Sequence, residues 1–380
     1  MILLKGGDYL SPDGIFKKGS ILLEGEAIRS VEDSIIPHEG DQVHDITGMK
    51  VIPGLIDIHS HGAVGIDVMS AEPEDLLKLT NFLAQNGTTS FLPTTITSTW
   101  EELRSALPKI QKAALLPAQG ASIEGIHIEG PYINPLRKGC HEPKNMRSPS
   151  SNDYDELRSL AAGLKLHFTV APEIRNGLAF IAQVSAGGGS VSIGHSEADF
   201  ETTMKALQSG ALAFTHLFNA MKGIHHREPG VAGAALCSNA YVELVCDGVH
   251  IHPEIVKLVY KVKGSDRLIL VSDAMQATGL GDGEYQFGGQ RVTVQNGIAR
   301  NSDGSLASST LTVFAAVKKM MTLTGVSLEN AVRMASFNPA RLLGIDNIVG
   351  SIEKGKRADL LVLDDRLNLV AVFCKGRKLI

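Results

Sequence analysis

Two histidines separated by one residue, His59 and His61, are the side chains best placed to do chemistry in this sequence of 380 residues. They end the segment Asp-Ile-His-Ser-His, which follows the apolar residues 51–56. In an extended strand, residues i and i+2 project from the same face, so both imidazoles can reach one cation. Imidazole is a strong ligand for zinc, iron and similar metals. Two solvent-exposed loop histidines would have the same spacing, so the rest of the chain must decide.

Ionisable residues also follow other short apolar segments. They are Glu129, His195, His216, His250 and Asp273. If these segments are the parallel strands of one barrel, their ends meet at the edge where such barrels carry their active sites. Each residue alone fits a surface or core polar group, but together they predict a divalent-metal hydrolase.

The chemistry of such a site follows from the residue types. Glu129, His195 and His216 provide one carboxylate and two imidazoles, a ligand set that leaves a position open for water. A bound cation lowers the pKa of that water toward neutrality. Asp273 is suited to take the proton and deliver it to a leaving amine, and His250 to polarise a carbonyl or stabilise an oxyanion. With His59 and His61, a second metal could share Glu129.

The elements that must position these residues alternate between short apolar strands and helix-like segments. Eight strands are predicted at 51–58, 89–92, 123–128, 166–170, 191–193, 211–214, 242–245 and 268–271. Eight strand-helix units over roughly 250 residues predict an α/β fold of the TIM (β/α)8 barrel type. A doubly wound open sheet is the alternative, but no GxGxxG motif opens a first strand-helix turn.

The two chain ends differ from the middle. Residues 1–50 and 346–380 contain short β-like segments, and neither is long enough to bury a core alone. We therefore predict that they pair into a small β-sandwich domain beside a barrel at 51–345. Inside the barrel unit, 283–298 reads as a β-hairpin, and 310–323 and 327–343 as helices.

Charge and composition exclude several functions. The formal charge is −5, from 36 basic and 41 acidic residues, which argues against nucleic-acid partners. The sequence has no segment of membrane-spanning length, and its start lacks the regions of a signal peptide. Its four cysteines show no CxxC pairing, which favours a reduced compartment. We expect a cytoplasmic protein with a small-molecule substrate, and neither nucleic-acid nor membrane partners.

Seven motifs along nearly the whole chain are similar to those of one known family. They lie at 53–62, 127–132, 194–196, 216–221, 227–230, 247–250 and 271–274. The chain resembles the amidohydrolase superfamily, and specifically its branch that hydrolyses the acetamide of N-acetylglucosamine 6-phosphate. The run His-Leu-Phe-Asn-Ala-Met followed by Arg-Glu-Pro-Gly is specific to that branch, whereas the His-x-His motif is shared by the superfamily.

The resemblance implies roles for individual positions. Glu129, His195 and His216 match the main metal ligands, Asp273 the general base and acid, and His250 the group that polarises the acetyl carbonyl. The matching substrate contacts are His141 to the sugar, and Asn219, the Ala220 backbone and Arg227 to the sugar phosphate, with His226 in the same loop. In this branch the arginine reaches in from the partner subunit, so the resemblance implies a homodimer.

The resemblance also implies a divalent metal, zinc or iron, with one or two ions per subunit, because some members lack the His-x-His motif. Other readings remain at this point. One is an amidohydrolase acting on another acylated amino sugar, such as N-acetylgalactosamine 6-phosphate, or on a cyclic amide. The other is a non-catalytic scaffold. Among the remaining histidines, we expect His127 to support the ligands and His167 to be a core residue.

Overall fold

The computed structural model describes residues 1–117 and 119–380. The N-terminal part contributes five strands to a terminal sheet. These are β1 (Ile2–Leu10), β2 (Phe16–Glu24), β3 (Ala27–Glu32), β4 (Gln42–Asp45) and β5 (Lys50–Pro53).

The middle of the chain alternates strands and helices. In order these are β6 (Leu55–Ser60), β7 (Gly62–Ala63), β8 (Ile66–Asp67), α1 (Pro73–Gln85), β9 (Thr88–Thr95), α2 (Trp100–Leu115), β10 (Ser122–Ile123), β11 (Gly125–Glu129), α3 (Asp153–Leu160), β12 (Lys165–Val170), α4 (Gly177–Ala186), β13 (Ser190–Ile193), α5 (Phe200–Gln208), β14 (Ala213–Phe214), α6 (Gly230–Cys237), β15 (Tyr241–Val245), α7 (Pro253–Lys263) and β16 (Leu268–Val271). Two short 3₁₀ turns, Pro135–Arg137 and Pro143–Asn145, lie in the loop after β11.

The last part of the chain adds a small sheet, three helices and the return to the terminal sheet. These elements are β17 (Gly283–Phe287), β18 (Gln290–Gln295), β19 (Ile298–Asn301), α8 (Val313–Thr324), α9 (Leu328–Ala335), α10 (Phe337–Leu343), β20 (Leu360–Leu363), β21 (Leu369–Cys374) and β22 (Arg377–Lys378).

Eight parallel strands form the predicted TIM-type barrel. Their order is β6-β9-β11-β12-β13-β14-β15-β16, and β10 also pairs with β9. The first and last strands meet at their C-terminal ends, where the Asp273 backbone N–H donates to the His59 carbonyl at 2.8 Å and that of His61 to the Ala274 carbonyl at 2.8 Å. This closure is important for function because it joins the His-x-His motif directly to Asp273.

The predicted pairing of the two chain ends is also confirmed. β20 pairs with β5, and the terminal sheet has the order β22-β21-β20-β5-β1-β2-β3, with β4 on β1. Alternate residues of β20 face different cores: Leu360 and Val362 join an apolar cluster within the terminal sheet, whereas Leu361 and Leu363 join the main core of the barrel. This period of two allows one strand to attach the sheet to the barrel.

The prediction of a single strand over 51–58 is wrong. The segment divides at Gly54, with β5 in the terminal sheet and β6 in the barrel. A Cβ at Gly54 would lie 2.0 Å from Thr89 Oγ1, so only glycine permits the close approach to β9 at this division.

The single helix predicted over 327–343 is likewise two helices. Ser327 caps α9, but the chain breaks at Ser336, whose hydroxyl donates to the Gly54 and Gly350 carbonyls at 3.1 and 3.2 Å. Pro339 has no N–H for a helical bond to Ala335, which favours the break. The predicted hairpin at 283–298 is present and continues into a third strand, β19.

Candidate active site

The predicted site residues surround a cavity of about 190 Å³ at the C-terminal ends of the barrel strands. Its lining consists of His61, Glu129, Gly139, Cys140, His141, His195, His216, Asn219, Ala220, His250, Asp273, Leu306 and Ser308. His59 is fully buried directly behind this wall. A larger neighbouring cleft of about 590 Å³ is bounded by Thr97 and Phe287 and contains none of the predicted ligands.

Glu129 is the centre of the candidate metal site. Its Oε1 lies 3.2 Å from His195 Nε2, 3.1 Å from His216 Nε2 and 3.4 Å from His59 Nε2, and its Oε2 lies 3.3 Å from His61 Nε2. All five side chains are buried. Two groups of potential ligand atoms share this carboxylate, one with His59 and His61 and the other with His141 and His195. The five ligands predicted from the sequence are therefore brought together.

The opposite ring nitrogens determine how three of these histidines face the centre. Nδ1 lies 3.1 Å from Glu243 Oε2 in His59, 3.2 Å from the Thr94 carbonyl in His61 and 2.8 Å from the Arg137 carbonyl in His195. These oxygens only accept, so each Nδ1 carries a hydrogen, and Nε2 is the nitrogen left to offer a lone pair to a metal. This is the tautomer that a metal ligand needs.

Electrostatics show that the cluster requires positive charge. Burial alone would raise the pKa of Asp273, but His59 and His61 outweigh it and lower the pKa to about 2. Burial would lower the pKa of His61, but Asp273 and Glu129 outweigh it and raise the pKa to about 9. Positive charge at these nitrogens is therefore favourable, and a divalent cation could supply it there in place of protons. The residues present therefore fit a divalent metal.

His141 has the opposite tautomer. The Thr97 backbone N–H donates to His141 Nδ1 at 3.2 Å, so this nitrogen is an acceptor and the hydrogen lies on Nε2. Nε2 lies 3.3 Å from Glu129 Oε2, and burial lowers the pKa of His141 to about 4. The neutral ring therefore offers an N–H donor at the edge of the metal site, although its position alone would allow it to be a ligand.

Asp273 lies directly beside the His-x-His pair. Its Oδ1 is 3.4 Å from His61 Nε2 and 3.7 Å from His59 Nε2, and it accepts a hydrogen bond from Ser308 Oγ at 3.0 Å. The backbone of Asp273 has φ +50°, a left-handed conformation that turns the chain at the end of β16. An ionised carboxylate thus lies at the edge of the candidate metal site.

His250 is oriented by a carboxylate of its own. Asp247 Oδ2 accepts from His250 Nδ1 at 2.6 Å, and Asp247 Oδ1 accepts from the His250 backbone N–H at 2.9 Å. Burial would lower the pKa of His250, but the hydrogen bond and charge of Asp247 raise it. The other ring nitrogen, Nε2, remains available as a donor.

The residues predicted to bind the phosphate divide into two groups. Asn219 and Ala220 line the cavity, and Asn219 Nδ2 donates to the His216 carbonyl at 3.1 Å. Arg227 and His226 are exposed, do not line the cavity, and contact each other at 2.7 Å. The structure therefore brings the first pair to the site of its own chain and leaves the second pair outside it.

Sequence reasoning missed several residues that hold the ligands. The most prominent is Glu243, a fully buried carboxylate on β15 that bonds to His59. Its signal was a single acidic residue within the apolar strand Tyr241–Val245. The roles of Asp247, which lies in the motif at 247–250, and of Ser308 were also missed, since their hydrogen bonds to His250 and Asp273 depend on loop geometry.

The expectations for the other two buried histidines agree with their contacts. His127 bonds to the Ile58 carbonyl at 2.9 Å and to Thr169 Oγ1 at 2.8 Å, so neither nitrogen is free for a metal. His167 lies between Ser190 Oγ at 2.7 Å and Ser192 Oγ at 2.9 Å. Both form a polar layer beneath the ligands.

The chain is similar to known proteins over nearly its whole length. A family model described as "Amidohydrolase family" matches residues 50–379. An N-acetylglucosamine-6-phosphate deacetylase of Bacillus subtilis (strain 168) is 40% identical over 385 residues, which cover 99% of this chain and 96% of that protein. An N-acetylgalactosamine-6-phosphate deacetylase of Escherichia coli O157:H7 is 39% identical over 326 residues, which cover 86% of each chain.

A solved structure provides the same comparison in three dimensions. A mutant N-acetyl-D-glucosamine-6-phosphate deacetylase from Mycobacterium smegmatis, in complex with N-acetyl-D-glucosamine-6-phosphate, superimposes with a TM-score of 0.92 and 32% identity, covering 100% of this chain and 99% of that one. The barrel, its metal-binding geometry and these matches agree. The chain belongs to the amidohydrolase family.

Proposed function

We propose that this protein hydrolyses N-acetyl-D-glucosamine 6-phosphate to D-glucosamine 6-phosphate and acetate. The observation that carries the proposal is the arrangement of Asp273 beside the histidines around Glu129, next to a cavity lined by Asn219 and Ala220. Family membership and the activity for which the Bacillus subtilis relative is named support this substrate class. The reaction belongs to amino-sugar catabolism and the recycling of cell-wall sugars.

The proposed cofactor is zinc or iron. Glu129, His195 and His216 would hold the first ion, and His59 and His61 could hold a second together with Glu129. A bound divalent metal lowers the pKa of water toward neutrality and so makes a nucleophile available. Amidohydrolases are generally divalent-metal enzymes, and this donor set leaves a position open for water.

The protein's own residues supply the proton transfers. Asp273, ionised and held by Ser308, accepts the proton of the attacking water and later protonates the departing amine. We propose His250 as the donor that polarises the acetyl carbonyl, as expected from the sequence. His141 contacts the sugar, but its Nε2–H beside Glu129 makes it a second candidate for polarising the carbonyl.

The proposed binding of the phosphate uses two copies of the chain. Asn219 and the Ala220 backbone contact it from one copy, and Arg227, with His226 beside it, reaches in from the other copy of a homodimer. The exposure of Arg227 outside its own cavity supports this arrangement. A stripe of exposed apolar side chains on α7, Ile255, Leu258 and Val262, offers a surface for the second copy.

A second candidate substrate is N-acetylgalactosamine 6-phosphate, because the Escherichia coli relative named for that substrate is 39% identical. The cyclic-amide alternative has no comparable relative among those described above. A non-catalytic scaffold is not favoured because every predicted ligand and Asp273 are present and adjacent.

No helix in the described ranges 1–117 and 119–380 has the length and apolar character needed to cross a membrane. We propose a cytoplasmic location because a charged sugar phosphate does not pass freely through lipid.

The test is acetate release from N-acetylglucosamine 6-phosphate, from the unphosphorylated sugar and from the galactosamine epimer, with metal analysis of the same sample. The expected result is strong preference for the phosphorylated glucosamine derivative. Preference for the epimer would transfer the proposal to the second candidate. A metal-loaded sample that releases no acetate from any of the three would overturn the substrate class and leave the metal site standing.

A further inference from the structure

Glu243 is a carboxylate that the proposed reaction does not use. It is fully buried on β15, beneath the metal ligands. Its Oε2 accepts from His59 Nδ1 at 3.1 Å and from the His216 backbone N–H at 3.3 Å, and its Oε1 accepts from Ser192 Oγ at 3.4 Å. His167 Nε2 lies 3.7 Å away. Within residues 1–117 and 119–380, its ion-pair partners are these two histidines, with no lysine or arginine.

This contact distinguishes His59 from the other ligands. The Nδ1 atoms of His61 and His195 bond to neutral backbone carbonyls, those of Thr94 and Arg137. Of these three Nδ1 atoms, only that of His59 bonds to a carboxylate. A carboxylate at Nδ1 fixes the ring and strengthens the lone pair at Nε2, which makes the histidine a better metal ligand.

Charge balance explains why such a carboxylate is useful here. His59 connects three buried carboxylates, because Nε2 lies 3.4 Å from Glu129 and 3.7 Å from Asp273 while Nδ1 faces Glu243. If the imidazoles are neutral, one divalent cation balances only two of these three negative charges, and one negative charge remains. A second cation would supply the missing positive charge. Uncompensated buried charge is costly, so the third carboxylate favours a second ion.

We propose that Glu243 is a positioning residue that sets the occupancy of the second metal ion, on His59 and His61. It acts by holding His59 Nδ1 and by supplying the charge that a second dication balances. The inference rests on the proposed function only in assuming a first ion on Glu129, His195 and His216.

The experiment is a Zn²⁺ titration of the metal-stripped, full-length protein, with bound metal counted by mass spectrometry and folding checked by circular dichroism. The parent should bind two ions per chain. Glu243→Gln, which keeps the shape but removes the charge, should keep the first affinity and weaken the second about 10- to 100-fold. Ser192→Ala is the matched control, because it removes another bond to the same carboxylate and should still bind two ions.

A second variant keeps the proposal testable if Glu243→Gln does not fold. Glu243→Asp keeps the charge but draws the carboxylate away from His59, and it should also weaken only the second ion. In a His59→Gln background, adding Glu243→Gln should cause no further loss of metal, because both changes act on the same position.

Three results would overturn the inference. They are unchanged binding of both ions by the folded Glu243 variants, equal weakening of both ions, or a parent that binds a single ion. The last result would leave the proposed hydrolysis intact. A parent that binds neither Zn²⁺ nor Fe²⁺ would remove the proposed metal site, and with it the proposed function and the inference.

Discussion

The candidate metal site has two halves, and the backbone presents their proposed ligands in different ways. His59 and His61 belong to, or directly follow, the extended strand β6, and they share a face because strand residues alternate. His195 and His216 come from two different strand ends and have left-handed backbones, with φ +47° and +27°. Asp273 has the same kind of conformation, with φ +50°.

The two halves differ in the backbone strain that is needed to position their ligands. A non-glycine residue with a left-handed backbone costs roughly 1–3 kcal/mol and persists only when its surroundings enforce it. At His195 they include bonds from Nδ1 to the Arg137 carbonyl and from the Asn134 N–H to the His195 carbonyl, each at 2.8–2.9 Å. The His59 half needs no such strain and is instead adjusted by the charge of Glu243.

The largest effect is expected when one ligand is removed from each half of the site. His195→Gln should abolish the first ion and lower kcat/KM by at least roughly 10³-fold, because the metal contributes several kcal/mol of transition-state stabilisation. His59→Gln should lose one ion and retain much more activity. Metal content and kinetics of both variants provide the measurement. Equal losses in both would mean that the two halves work as one inseparable unit.

A substitution at Asp273 tests the catalytic role of a residue with a left-handed backbone, and it removes no proposed metal ligand. Asp273→Asn should lower kcat by roughly 10²- to 10⁴-fold, since an amide cannot accept the proton of water or return it to the amine. Metal content should remain that of the parent. Substantial turnover by this variant at full metal content would remove Asp273 from the role of general base and acid.

Metal removal should affect the stability of the protein less severely than its activity. Ions bound at about 1,000 times their dissociation constant contribute about 4 kcal/mol, so stripping with a chelator should lower the Tm by roughly 5–10 °C. Differential scanning calorimetry measures the shift, and added Zn²⁺ should reverse it. The His59→Gln variant should show a smaller shift than the parent, and an equal one would contradict a separate second ion.

The smallest predicted effect concerns the support of Asp273. Ser308→Ala removes the hydroxyl that donates to Asp273 Oδ1 at 3.0 Å, and kcat should fall about 10-fold because a bond to a charged group is lost. Ser305→Ala, an exposed serine of the same loop, is the control and should behave as the parent. A Ser308 variant with unchanged kcat would show that the backbone alone positions Asp273.

Much of this architecture could be predicted from the sequence. All eight barrel strands were located, because each is a short apolar segment that ends in a polar residue, as at Glu129 and His195. Errors arose where long-range packing interrupts a continuous pattern. The apolar run 51–58 divides because Gly54 approaches Thr89, and 327–343 divides because Ser336 bonds to Gly54 and Gly350.

The sequence by itself indicated which groups are candidate metal ligands and their order along the chain, because residue type and strand periodicity are local properties. Only the tertiary structure decided the state and support of those groups. The tautomer of His141 depends on Thr97, 44 residues away, and the charge partner of His59 is Glu243, 184 residues away. Hydrogen bonds and buried ion pairs form between residues that are neighbours in space. Residues so far apart in the sequence become neighbours only when the barrel closes, so sequence spacing does not predict these contacts.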